Sequence, residues 1–219
     1  MIFWQTFFYT NVVRYLYKAT PLLIGTFSEF PYNGVMVYKL KQFITEPALL
    51  TGAVIIAYLI DFIIPIDFNR FGIHPRSLLG LFGIPLSPFL HGGFGHLFSN
   101  IFPLFALGVL LRSFGRHLFI GSTVAMILLS GLLTWLLSSS IVVGASGLVF
   151  AYWTYLITTA IRQKTTQTII IAGITLLLYG GLILGLASFR EGISWAGHFS
   201  GAVAGIVVAI LMPADKQTR

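Results

Sequence analysis

Four polar side chains interrupt long apolar runs in this 219-residue chain: His96, Asn100, Ser146 and His198. A serine hydroxyl becomes a good nucleophile when a base removes its proton, and a neutral histidine is a common base. His96 and Asn100 are spaced i and i+4, so both leave one face of a helix and suit the stabilisation of an oxyanion. These residue types indicate acyl transfer by a serine with a histidine base.

Small residues surround both the serine and the candidate base. Ser146 lies in the segment Gly144–Gly147, which leaves its hydroxyl unshielded and lets another backbone come close. His198 is followed by small residues at helical spacing: Gly201, Ala202, Gly205 and Ala209. We expect this stripe to dock on the Gly144–Gly147 segment, which would bring Ser146 to His198. At a helix N-terminus, the positive end of the helix dipole would also help His198 to stay neutral.

The composition says where such a site must lie. The chain is 57% hydrophobic and only 9% charged, with a mean hydropathy of +0.91 and no cysteine. One soluble core could not hide so much apolar surface. These values exclude a soluble enzyme, a disordered chain, a disulfide scaffold and cysteine-dependent catalysis or metal binding. The chain is predicted to be an integral membrane protein.

Six runs are long and apolar enough to cross a bilayer, which takes roughly 20 residues each. They cover 48–66, 94–112, 118–138, 141–161, 168–188 and 194–212. We therefore predict an all-α, polytopic membrane domain of six helices over 48–212. A cytosolic or interfacial segment, 1–47, precedes it, and a cytosolic tail, 213–219, follows it.

Two stretches do not fit a simple span. Residues 1–47 are aromatic-rich but broken by charges, lack the pattern of a signal peptide, and include a candidate interfacial part around Trp4–Tyr17. Residues 77–90 are apolar but short, and they contain Pro85 and Pro88. We expect this second stretch to be a half-embedded loop resting against other protein.

The distribution of Lys and Arg predicts the orientation. With six spans, ten of the basic residues fall on the face that carries both termini, and three fall on the other face: Arg70, Arg76 and Arg190. Both termini should therefore be cytosolic, and the net charge of +7 reflects topology and anionic lipid rather than nucleic acid. His96, Asn100, Ser146 and His198 would then share a depth of roughly 5–10 Å on the extracytoplasmic side, two to six residues inside their helices.

These motifs resemble the rhomboid family of intramembrane serine proteases. The resemblance covers residues 48–212 and lies in the order and spacing of three elements, one in each of three spans. They are His91-x4-His96-x3-Asn100, Ser146 in Gly-x-Ser-Gly, and His198 in Gly197-His198-Phe199-Ser200-Gly201.

The resemblance implies a role for each residue. Ser146 would be the nucleophile and His198 the general base and later acid, forming a Ser-His dyad without an aspartate. His96, Asn100 and the Ser146 backbone N–H would form the oxyanion hole, supported by His91. Further supporting positions would be Gly144, Gly147, Phe150, Gly201 and Gly205. The substrates would be single-span or polytopic membrane proteins, cut near their extracytoplasmic end, with no cofactor and no metal.

The chain departs from the family pattern in two places. Many members carry a Trp-Arg pair in the first loop, where this chain has Gly80-Leu81-Phe82-Gly83. Many also have a tyrosine four residues after the nucleophile, where this chain has Phe150. A phenyl ring can still stack on a histidine but cannot donate a hydrogen bond.

Two other functions are compatible with the composition. One is a catalytically inactive rhomboid-like protein that binds membrane clients, although such proteins usually lack the serine or the histidine. The other is a transporter or channel, which the absence of internal repeats and of charged residues at the bilayer midplane disfavours. The interior polar residues favour the protease, in a prokaryotic plasma membrane; oligomeric state and substrate stay open.

Overall fold

The computed structural model describes residues 32–186 and 194–214, with side chains from residue 41 onward. The chain divides into two compact units, residues 1–40 and 41–219. Of the first unit, only helical backbone from Tyr32 onward is described, so the interfacial part expected around Trp4–Tyr17 lies outside the described residues. Most of the predicted tail 213–219 also lies outside them.

The described residues are helical and contain no strand beyond an isolated antiparallel bridge between Ile73 and Val142. Two short 3-10 turns cover Phe68–Phe71 and Ser87–Phe89. The helices are α1 (Tyr32–Ile63), α2 (Leu78–Leu86), α3 (Phe94–Arg112), α4 (Arg116–Leu137), α5 (Ser146–Gln163), α6 (Thr166–Tyr179), α7 (Leu182–Leu186) and α8 (Trp195–Leu211).

Three described helices are long and apolar enough to cross a membrane: Lys41–Ile63 of α1, α3 and α4. Three further segments are apolar but shorter, namely Leu78–Phe89, α6 and α8. The all-α membrane architecture is thereby confirmed, whereas the number of six spans stays a prediction. Pro47, expected at the start of the first span, lies inside α1.

Two predicted spans differ from the helices that form. Residues 141–145, expected to begin the fourth span, precede α5 because Val142 pairs with Ile73 and Gly144 adopts a positive φ of 113°. The fifth span was predicted over 168–188, but α6 ends at Tyr179. Gly180 and Gly181, which are poor helix formers, separate it from the short helix α7.

Helix α5 forms the centre of the core, and every residue from Leu148 to Leu156 is buried. It packs most closely against α8 through glycine. A methyl group placed on Gly201 would overlap the carbonyl oxygen of Gly147, and one on Gly205 would overlap that of Ala151. The small-residue stripe therefore docks on α5. It meets the predicted Gly144–Gly147 segment at Gly147, while Gly205 packs against Ala151 further along the helix.

The loop that precedes α2 is fastened to the end of α4. The Arg76 guanidinium donates hydrogen bonds to the carbonyls of Leu136 (3.1 Å) and Ser138 (2.7 Å), and its backbone N–H donates to Trp135 (3.1 Å). The Trp135 indole donates in return to the carbonyl of Ser77 (2.8 Å). The cation therefore satisfies carbonyls that a helix C-terminus leaves free.

An ionic cluster joins α1 to the end of α3 and to the start of α4. Glu46 on α1 pairs with Arg112 at the end of α3 (2.8 Å) and with Arg116 at the start of α4 (2.7 Å). Glu46 and Arg112 are largely buried. Their charges compensate one another, which burial requires.

The glycine contact between α5 and α8 predicts the effect of a single methyl group. Gly201→Ala should destabilise the protein by about 1–3 kcal/mol, because the added carbon meets main chain that cannot move aside cheaply. Gly173→Ala on α6 is the matched control, since nothing lies within 4 Å of a carbon placed there. Apparent unfolding temperatures in detergent measure the difference, and a Gly201→Ala protein as stable as the wild type would contradict this close contact.

Candidate active site

Ser146 is the first residue of α5, not a residue several positions inside a helix as the span boundaries predicted. The backbone before it is held from the first loop. Gly144 donates its N–H to the carbonyl of Ser87 at 2.8 Å, and Ala145 donates to Nε2 of His91 at 3.4 Å. Ser146 therefore stands, half-buried, where the first N–H groups of a helix have no intrahelical partner and favour negative charge.

His198 lies in the first turn of α8, whose start is capped by the Ser194 hydroxyl accepting from Gly197 N–H at 3.0 Å. The imidazole stacks on the ring of Phe150, with 4.3 Å between centroids and 20° between planes. Its Nδ1 lies 3.1 Å from the carbonyl oxygen of Gly185 in α7. Packing and one hydrogen bond therefore fix the ring.

The structure brings Ser146 and His198 to the same end of the α5–α8 contact. Phe150, one helical turn after Ser146, is the residue on which His198 stacks. A carbon placed on Gly147 would lie 3.4 Å from the carbonyl oxygen of Gly197. Within the described residues, the Ser146 hydroxyl forms no hydrogen bond, so direct proton transfer to His198 stays a prediction. Catalytic hydrogen bonds often tighten only when substrate binds.

His96 covers the turn that leads into Ser146. Its ring occupies the space that a side chain at Gly144 would need, with Cε1 2.6 Å and Nε2 2.7 Å from the position of that Cβ. Asn100 is buried on the same helix, and its amide donates to the carbonyl of His96 at 2.7 Å. The expected pair therefore shares one face of α3, and His96 lies directly against the Gly144 backbone.

His91 is the buried support of this arrangement. It lies in the loop before α3, and its ring meets that of His96 edge to face at 5.0 Å. Burial lowers the pKa of His91 to about 4, and the nearby His96 ring adds to this effect. The neutral ring can therefore accept the Ala145 N–H through Nε2, as the hydrogen bond requires.

The other predicted supporting residues are found in the same contacts. Gly144 gives room to the His96 ring, and Gly147 brings its carbonyl against Gly201. Phe150 stacks on His198, and Gly205 lies against Ala151 and Thr154. Within the described residues, no group of three histidine or carboxylate side chains is placed to hold a metal ion.

A water-sized cavity lies beside Ser146, and no sequence motif predicted it. Its volume is about 20 Å³, which is enough for one water molecule. The residues that line it include Ser146 and three other residues with hydroxyl groups: Ser87, Ser130 and Thr134. Ser130 and Thr134 are spaced i and i+4 on α4, so their sequence pattern already indicates two hydroxyls on one face of an apolar helix. Gly185 carried no such signal, because its contribution is a backbone carbonyl.

Comparison with known proteins shows to which family this chain belongs. The family model of the rhomboid domain matches residues 79–214. The chain belongs to the rhomboid family. The match includes each of the proposed catalytic and oxyanion-binding residues: His96, Asn100, Ser146 and His198.

Two mycobacterial proteins are similar over most of the rhomboid chain. Uncharacterized protein Rv1337 of Mycobacterium tuberculosis is 34% identical over 192 residues, which is 82% of this chain and 80% of that protein. Uncharacterized protein ML1171 of Mycobacterium leprae is 33% identical over 150 residues, covering 64% of this chain and 59% of that protein. The similarity to the Mycobacterium tuberculosis protein therefore extends over most of both chains.

The lowered pKa of His91 predicts a loss of stability in acid. The unfolded chain takes up a proton near pH 6.5, whereas the folded chain resists protonation until about pH 4. Stability should therefore fall as the pH decreases through this window, by about 3 kcal/mol in total from this residue. His91→Gln, which keeps an acceptor for Ala145, should flatten this dependence in unfolding scans between pH 7 and 4. An unchanged slope in the variant would contradict the neutral, buried ring.

Proposed function

We propose that this rhomboid-family protein is an intramembrane serine endopeptidase with Ser146 and His198 as its catalytic dyad. The main support is the glycine contact that sets the first residue of α5 beside the first turn of α8, with Phe150 stacked on His198. Rhomboid proteins are in general serine proteases of the membrane, and this chain retains both dyad residues.

The proposed chemistry is acyl transfer in two stages. The Ser146 oxygen attacks the substrate carbonyl while Nε2 of His198 accepts the hydroxyl proton. His198 then returns that proton to the leaving amine as the peptide bond breaks. Water hydrolyses the acyl-serine by the reverse sequence, and the cavity beside Ser146 has room for one such molecule. The two side chains and water complete this cycle without a metal or an organic cofactor.

The oxyanion of each tetrahedral intermediate needs donors at the start of α5. His96 lies against Gly144, and the free N–H groups of the first turn of α5 point to the same end. Asn100 supports the His96 main chain through one amide hydrogen, which leaves its second hydrogen for the substrate oxygen. Each good donor of this kind contributes roughly 10²–10³ in rate.

The orientation proposal sets the place of cleavage. The basic residues at the ends of α3 and α5 and the starts of α4 and α6 belong to the face opposite Ser146: Arg112, Arg116, Arg162 and Lys164. By the positive-inside rule, that face is cytosolic, as are both termini. The dyad then opens to the extracytoplasmic side of a six-span domain over 48–212, in a prokaryotic plasma membrane. Substrates would be single-span or polytopic membrane proteins cut near that side.

Cleavage of a single-span model substrate by the purified protein tests this function. Ser146→Ala and His198→Ala should each lower turnover by roughly 10⁴-fold or more, because the residues act as one unit. Ser139→Ala is the matched control, since Ser139 is an exposed serine before the same helix and should leave turnover unchanged. A fluorophosphonate should label the wild type and Ser139→Ala, but not Ser146→Ala.

Two outcomes would overturn the assignment. Turnover in Ser146→Ala equal to that of the wild type would show that another group is the nucleophile. A well-folded wild type that neither cleaves nor reacts with the fluorophosphonate would favour an inactive client-binding rhomboid protein.

A further inference from the structure

The hydrogen bond between His198 and Gly185 determines which ring nitrogen carries the proton. A backbone carbonyl can only accept, so the 3.1 Å contact with Nδ1 requires a hydrogen on that nitrogen. The neutral ring then has its lone pair on Nε2. A base that attacks a serine proton through Nε2 needs this tautomer.

A carboxylate usually holds the base of a serine hydrolase in that tautomer. The described carboxylates of this chain are engaged elsewhere. Glu46 pairs with Arg112 and Arg116, while Asp61 and Asp67 accept backbone N–H groups within the loop after α1. Among the described residues, His198 Nδ1 therefore donates its hydrogen bond to the carbonyl of Gly185 rather than to a carboxylate.

The Gly185 carbonyl can come close to His198 because residue 185 has no side chain. A Cβ placed there would lie 2.8 Å from Cζ of Phe150 and 3.6 Å from Nδ1 of His198. Glycine at position 185 therefore allows α7 to pack directly against the stacked rings of Phe150 and His198. A larger residue would have to lift the carbonyl or displace the Phe150 ring.

Helix α7 is also short, and none of its residues is fully buried. It has five residues, follows the Gly180–Gly181 interruption, and exposes Ile183 and Leu184 by 59% and 75%. Leu182 and Leu186 of the same helix pack, half-buried, against the hydrophobic core. The position of the acceptor thus depends on these two side chains and on the contact with Phe150 and His198.

We propose that the main-chain carbonyl of Gly185 is the orienting group of the catalytic dyad. Gly185 is a positioning residue: it acts through His198 and touches no reacting atom. The position of α7 then determines whether Nε2 of His198 is unprotonated and can act as the base for Ser146. This inference rests on the proposed protease function, but the tautomer it requires can be measured without any turnover.

Nitrogen NMR of ¹⁵N-histidine-labelled protein tests the tautomer directly. The His198 signals, assigned by their loss in His198→Ala, should show a protonated Nδ1 and an unprotonated Nε2 in the wild type at neutral pH. Gly185→Ala should shift them toward a mixture of the two neutral forms. Gly181→Ala is the matched control, because nothing lies within 4 Å of a carbon placed there, and it should keep the wild-type signals.

Kinetics and a second substitution separate positioning from general damage. Gly185→Ala should lower kcat about tenfold or more with little change in KM, since substrate binding does not require the tautomer. Adding Phe150→Leu removes Cζ, the atom that the new methyl group meets, and should move the His198 signals of Gly185→Ala back toward the wild-type pattern.

The inference fails if the wild type carries its proton on Nε2, or if Gly185→Ala leaves both tautomer and kcat unchanged. Absence of cleavage in the wild type would refute the proposed function instead. The NMR comparison would still decide whether Gly185 orients the ring.

Discussion

The approach of α5 to α8 is made by main chain rather than by interlocking side chains, and the geometry of the site depends on it. With Gly201 against the Gly147 carbonyl and Gly205 against that of Ala151, neither helix can slide or rotate without a collision or a gap. Apolar side chains give no net hydrophobic attraction between helices in lipid, so such close packing has to supply the association. The same contact fixes Ser146 and His198 at one end, because each stands in the first turn of its helix.

Much of this arrangement could be predicted from the sequence, because polar functional residues stand out in the apolar sequence of a membrane helix. Three features were predicted in this way: the small-residue stripe after His198, the i and i+4 pair of His96 and Asn100, and the proline-broken segment before α3. The start of α5 was not. Residues 141–145 are as apolar as a span, and hydropathy cannot tell a helix in lipid from extended chain that is paired with Ile73 and held by Ser87. Gly185 was missed for a related reason, since a backbone acceptor has no residue-type signature.

The first loop does more than connect α1 to α3. Arg76 adopts a φ of 54°, which a non-glycine residue accepts only when its surroundings impose it, and its three hydrogen bonds to the end of α4 supply that constraint. From this anchor the chain runs through α2 to Ser87 and His91, which hold the two residues before Ser146. Many rhomboid proteins have a Trp-Arg pair in this loop. In this chain an arginine and a tryptophan from different segments, Arg76 and Trp135, fasten the loop to the helix bundle.

The Glu46 cluster has a consequence for the order in which the protein matures. Glu46 is synthesised well before Arg112 and Arg116, so its carboxylate cannot form these ion pairs until the hairpin of α3 and α4 is made. Helix α1 leaves most of its apolar surface uncovered and gains little from packing alone. Both ion pairs of Glu46 can therefore exist only after Arg116 has been synthesised, and a chain released before that residue would lack the second of them.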